Sequence, residues 1–192
     1  MAYADKVVAI AASTGGVEAL GQVFADLPSN IPPTLLVIHM PPGFTKLFAA
    51  RFNETYKVTM KEADTGDYLL PGQVLVAPAG RHMKVVSTGG RLTVECFVGE
   101  KVRYVIPSAD VMFDSVANVL GNRAVGVILT GMGADGADGL LRMRRTGAST
   151  IGQNRETSTI YGMPKVAMEL GAVEHQLPLD QIAAKIMSLV QR

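Results

Sequence analysis

Apolar residues along the chain fall into short β-branched runs, separated by stretches in which they recur every three or four positions. Runs 7–10, 35–38, 125–129 and 149–151 read as buried strands. Segments 18–26, 46–52, 109–120, 137–145 and 164–170 read as helices, and 180–190 as a closing amphipathic helix with Ile182, Ile186 and Leu189 on one face. This alternation predicts an α/β protein, doubly wound, with a mainly parallel sheet between helix layers and right-handed crossovers. Between Val58 and Val98 the rhythm changes. Residues 74–77, 83–86 and 91–95 are strand-like, and Ser87-Thr88-Gly89-Gly90 supplies the turn of the last two. The middle of the chain therefore predicts a β-hairpin excursion, not a second domain. Residues 100–106 are the expected loop. With no repeat, low-complexity tract or linker in between, residues 1–192 read as a single domain.

Composition narrows the function classes. A chain of 192 residues can bury roughly 70% of its unfolded surface. Eighteen basic residues against seventeen acidic leave a formal charge of +1, with no basic block, which argues against a nucleic-acid partner. The one cysteine, Cys96, allows no internal disulfide and fits a reducing compartment; it lies in a hairpin strand and reads as packing. With only three histidines beside it, a zinc site is not expected. No apolar run approaches the roughly 18 residues that would cross a bilayer, and Met1-Ala2-Tyr3-Ala4-Asp5-Lys6 is too short and polar for a signal peptide. A cytoplasmic globular protein is expected, and a membrane protein stays open as its substrate.

Three strand ends carry residues with chemical potential. The first strand runs into Ala11-Ala12-Ser13-Thr14-Gly15-Gly16, where a serine on a tight turn into a helix would expose its hydroxyl near converging backbone amides. The same small-residue turn could merely pack helix on strand, and Ala11 stands where a G-x-S-x-G elbow has glycine. The strand at 35–38 ends in His39-Met40-Pro41-Pro42-Gly43-Phe44. In a parallel sheet all carboxyl ends share one edge, so His39 belongs on the edge of Ser13. The strand at 125–129 ends in Thr130-Gly131-Met132-Gly133-Ala134-Asp135-Gly136-Ala137-Asp138-Gly139. Asp135 and Asp138 fit the ordinary role of helix caps. A carboxylate here could equally orient His39 and stabilise its imidazolium form, and amides of the 131–133 turn could donate to an oxyanion.

These segments resemble the catalytic domain of the bacterial chemotaxis protein-glutamate methylesterases, the CheB family. Beyond the three strand ends, the resemblance rests on Lys61-Glu62-Ala63, Gly66, Pro71-Gly72, Ala77-Pro78, His82-Met83, Pro107-Ser108, Asp110 and Tyr161-Gly162-Met163-Pro164, and it runs from Val7 to Gly171. It implies a serine hydrolase that removes methyl from γ-glutamyl methyl esters of chemoreceptor helices, with deamidation of receptor glutamines as a related activity. Ser13 would be the nucleophile, His39 the general base and acid, and Asp135 the group that orients His39. The backbone amides of Thr14 and Met132 would form the oxyanion hole, and His82 and Met163 could line the cleft or simply pack, His82 in its loop and Met163 in the core. No metal or organic cofactor is implied.

Family members usually carry a phosphoryl-accepting receiver domain ahead of this segment, and the chain begins almost at its first strand. A free-standing domain would lack that attached control and leave a separate receiver or regulator protein to act on it. Ile106 replaces the arginine that often precedes the Pro-Ser pair, which bears on substrate contacts. Acidic receptor helices would favour basic residues beside the cleft, with Lys46, Arg51, Arg142, Arg144 and Arg145 as candidates. Two alternatives share the same residues: a non-enzymatic receptor- or partner-binding module, and an esterase for another protein or small ester.

Overall fold

Why the central strands need no polar alternation is plain from their position. β1 (Val7–Ala12) is flanked on both sides, by β2 (Thr34–Ile38) and β7 (Ala124–Ile128), and all three are buried along their whole length. On β1, Val7, Ala9 and Ala11 join one core cluster while Val8, Ile10 and Ala12 join the other. A strand covered on both faces has no solvated row to make polar.

The computed structural model describes residues 6–191; the polar residues Met1 to Asp5, which argued against a signal peptide, lie outside them. With β3 at Thr59–Glu62, β4 at Gln73–Val76, β8 at Ser149–Gln153 and β9 at His175–Leu177, seven strands form one parallel sheet in the order β3-β4-β2-β1-β7-β8-β9. One face carries α1 (Gly16–Ala25), α2 (Phe44–Thr55) and α6 (Leu179–Val190), whose Leu20, Phe24, Phe48, Phe52, Ile182 and Ile186 fill a core. The other carries α3 (Ala109–Leu120), α4 (Ala137–Arg145), α5 (Met163–Glu169) and the antiparallel hairpin β5 (His82–Thr88)–β6 (Arg91–Phe97). Among the described residues no helix is long and apolar enough to cross a membrane.

The sequence expectation of a doubly wound, mainly parallel sheet with a mid-chain hairpin matches this arrangement. Three details differ. β3 (Thr59–Glu62) was not expected, because an edge strand with exposed Thr59 and half-buried Lys61 and Glu62 has little apolar signal. β9 (His175–Leu177) has three residues, none fully buried, and is equally quiet. β4 (Gln73–Val76), grouped in sequence with the excursion, pairs parallel with β2 and β3 inside the main sheet. Only β5 and β6 leave it.

Successive connections from β1 pass to β2 on one side, whereas β7 lies on the other. The crevice between the carboxyl ends of β1 and β7 is thus the switch point where an open α/β sheet leaves room for a ligand.

Candidate active site

Register alone sets the first two groups side by side. Ala12 lies opposite Ile38 in the β1–β2 ladder, and the His39 amide donates to the Ala12 carbonyl at 3.2 Å. Ser13 and His39 are therefore lateral neighbours one step past the strand ends, on strands about 4.8 Å apart. On the other flank the Ser13 amide donates to Thr130 O at 3.0 Å. Ser13 follows Ala11 by two residues and His39 follows Val37 by two, so both continue the row that faces α3.

Ser13 is not held in a strained elbow. Among the described residues, positive φ outside glycine occurs only at Arg103 (49°) and Tyr104 (68°); the turn after Ser13 places its left-handed residue at Gly15, with φ 79°. Ala11 is a fully buried strand residue, not part of the turn, and has no need of a glycine's freedom. The glycine that matters sits across the crevice. A Cβ on Gly131 would fall within 2.8 Å of Ser13 Cβ and strike the Met163 sulfur.

Asp135 is buried, 3% exposed, and accepts four hydrogen bonds. His39 Nε2 lies 2.8 Å from Oδ2 and the Ala109 amide 2.7 Å from the same oxygen. Ser108 Oγ donates to Oδ1 at 2.6 Å and the Asp110 amide at 3.2 Å. Burial pushes the Asp135 carboxyl up, but hydrogen bonds from His39, Ser108 and Ala109 outweigh it and hold it below the ordinary 3.8. An ionised carboxylate only accepts, so Nε2 of His39 donates to it and Nδ1 is turned away from Asp135. This is the reverse of the ring orientation in the chymotrypsin-type triad, where Nδ1 faces the aspartate. Both sequence readings of Asp135 meet in one residue. It contacts His39 and it caps a helix, but the helix is α3 and not the α4 that follows it. Asp138 pairs with Arg103, which also reaches buried Asp110 at 3.0 Å. Burial pushes the Asp110 carboxyl up, against hydrogen bonds from the α4 backbone.

The Thr14 and Met132 amides donate to no protein group among the described residues, and both residues are exposed. Two ties hold the turn that carries Met132: the Gly131 amide donates to Ile160 O at 3.0 Å and the Met163 amide to Gly131 O at 2.8 Å. Thr130 Oγ1 spans from Thr14 O to Ile160 O, and the Thr130 amide donates to buried Gln153. Thr130 lies in a motif segment, but Gln153 has no motif signal, since its role depends on β8 lying beside β7.

For His82 and Met163 the structure matches the packing alternative and not the cleft. His82 is 2% exposed; its Nδ1 accepts the Ser108 amide at 3.2 Å and its Nε2 meets Glu100 O at 2.8 Å, so it lies behind the site. Met163 is fully buried beneath Gly131 and belongs to the core. Cys96 is also core, its thiol pushed up to about 11, mainly by burial. A groove of about 410 Å³ runs beside His39, lined by Met40, Pro41, Pro42, Lys101 and Tyr104, the last 94% exposed. Lys46 lies in the first turn of α2, at this edge, with Arg51 further along the helix. Arg142, Arg144 and Arg145 close α4, which starts at the β7 carboxyl end and runs toward the opposite edge. Arg142 pairs there with Asp114 at 2.6 Å, and Arg144 binds Gly171 O.

The fold and these distances define a class: a doubly wound α/β domain with serine, histidine and aspartate gathered at its switch-point crevice. Residues 8–186 match the CheB methylesterase family. A protein-glutamate methylesterase/protein-glutamine glutaminase of Syntrophomonas wolfei is 51% identical over 97% of this chain and 54% of its own length. A relative of the same description from Syntrophotalea carbinolica is 48% identical over 97% of this chain and 53% of its own. The crystal structure of the Thermotoga maritima CheB methylesterase catalytic domain superposes with a TM-score of 0.93 at 37% identity, covering 96% of this chain and 98% of that one. The chain belongs to the CheB methylesterase family. It spans about half the length of the curated relatives it matches.

Proposed function

We propose that this chain is the catalytic domain of a protein-glutamate methylesterase that hydrolyses γ-glutamyl methyl esters on chemoreceptor helices in the cytoplasm. The observation that carries the reading is the fully hydrogen-bonded Asp135 with His39 Nε2 at 2.8 Å, beside Ser13 in register. Ser13 Oγ attacks the ester carbonyl while His39 Nδ1 takes its proton. The Thr14 and Met132 amides receive the oxyanion. His39, as imidazolium beside ionised Asp135, returns the proton to the departing methoxide, releasing methanol and leaving Ser13 acylated. Water attacks this acyl-enzyme with the same base, freeing the glutamate carboxylate and Ser13. A glutamine side chain would follow the same path with ammonia leaving, which is the deamidase reading that the names of the relatives support. A receptor would be the macromolecular partner, and a receiver or regulator protein a second one.

Methyl-labelled receptor incubated with the protein is expected to release methanol, and Ser13→Ala to lower kcat by up to about 10⁶. Equal release from both would overturn the nucleophile, and release from neither would overturn the activity. A small-molecule ester hydrolysed in preference to receptor would turn the reading toward the broader esterase class.

A further inference from the structure

The α3 N-terminus begins with a serine that does not do what a capping serine does. Ser108 occupies the N-cap position with extended backbone (φ −106°, ψ 133°), yet its hydroxyl makes no bond back to its own helix. The first amides of α3, Ala109 and Asp110, go instead to Asp135. The Ser108 hydroxyl is thereby released from capping, and it donates to Asp135 Oδ1 at 2.6 Å while His39 sits on Oδ2. Ser108 is itself fully buried, and its backbone is anchored because its amide donates to His82 Nδ1, whose Nε2 in turn meets Glu100 O.

We propose that Ser108 is a positioning residue for the ester hydrolysis: its hydroxyl fixes the Asp135 carboxylate in the plane that presents Oδ2 to His39, with His82 holding Ser108 in turn. This rests on the reading of Ser13, His39 and Asp135 as the reacting set. The charged and titratable groups around Asp135 are His39 at the end of β2, Asp110 on α3, Asp138 on α4, Arg103 between the last two, and His82 behind Ser108. Among the described residues the Ser108 hydroxyl is the one side-chain donor on Asp135 besides His39. Removing it leaves Oδ1 with a single amide, so the carboxyl ionises less readily and the acid limb of the pH profile, which belongs to the coupled His39–Asp135 pair, moves to higher pH.

The test measures the rate at which a fluorophosphonate probe modifies Ser13, from acid to neutral pH, together with melting temperature. Ser108→Ala is expected to melt within about 4 °C of wild type, to label roughly tenfold more slowly at neutral pH, and to show its acid limb shifted upward by about half a unit. In an Asp135→Asn background the same substitution should add no further loss, as a residue acting only through Asp135 must. Ser108→Thr, which keeps the hydroxyl, should label within about threefold of wild type. A folded Ser108→Ala with wild-type rate and limb overturns the proposal alone. So does a tenfold loss that persists in Asp135→Asn, or a folded Ser108→Thr as slow as Ser108→Ala. An inert wild type overturns it together with the assignment of Ser13 as nucleophile.

Discussion

The two faces of the sheet are built from one alternating pattern and serve different ends. The face under α1, α2 and α6 is filled mainly by large apolar side chains: Phe52 meets Phe24 edge-on and Phe48 and Tyr56 at a tilt, with ring centroids 4.3–5.4 Å apart, backed by Leu20, Ile182 and Ile186. The face under α3 to α5 has a core rich in alanine, with valines, leucines and methionines, and at its carboxyl-end rim it buries Ser108, Asp110, Asp135 and His82. Each of those polar groups has hydrogen-bond partners, as burial demands. The difference separates stability from chemistry. One face holds the sheet together by area and shape; the other gives up apolar area so that a carboxylate can be fixed and kept charged.

Substitutions can break that division, and the largest effect falls on the polar face. His39→Ala should lower receptor demethylation by about 10⁵–10⁶ in kcat while shifting melting by no more than a few degrees, because His39 stands at the rim. A large loss of stability would show the site to be structural. Phe24→Ala on the apolar face should do the reverse. It should cost about 3–5 kcal/mol in denaturant unfolding with kcat per folded molecule unchanged. Gly131→Ala falls between, since its methyl would meet Ser13 and Met163 together. It should cost about 1–3 kcal/mol of overpacking and slow turnover at least tenfold, readable as melting and rate on the same sample.

Two smaller predictions sharpen the contrast. The Asp135 carboxyl is held below 3.8 in the folded chain, so its ionised form contributes stability that is complete above that value and lost as pH falls through the lower folded one. The melting gap between wild type and Asp135→Asn should therefore narrow as pH drops below 3.8, and a constant gap would contradict the assignment. Tyr104→Gly should be neutral or raise stability by about 1 kcal/mol, because a tyrosine at φ 68° is strained and this one is 94% exposed. A rise in KM in the same variant would place Tyr104 against substrate.

Much of this contrast was legible in the sequence where local pattern and tertiary demand agree. Helices 109–120 and 137–145 emerge with the bounds they have in the fold, and the three strand ends bring Ser13, His39 and Asp135 to one edge by the parallel-sheet rule alone. What escaped depends on distant partners. β3 and β9 are edge strands without an apolar run. Ser108 lies in a motif segment just ahead of a helix, and nothing local says that a carboxylate 27 residues later takes over the capping. Ala11 departs from an elbow pattern only if the strand stops at Ile10, and β1 runs on to Ala12. His82 and Met163 lie in motif segments, which marks them as constrained but does not say whether the constraint is the cleft or the layer beneath it.

The double duty of Asp135 has a consequence in time as well as in space. During synthesis Ser13 and His39 leave the ribosome before Asp135, on strands that are adjacent in the fold. The carboxylate that sets the imidazole lies 96 residues beyond His39, and its geometry requires the first turn of α3 to be docked. Until both arrive, the serine has an untethered base. A growing or half-unfolded chain is thus chemically quiet, and esterase activity in refolding should appear with the docking of α3, not with the earlier closure of the β1–β2 pair.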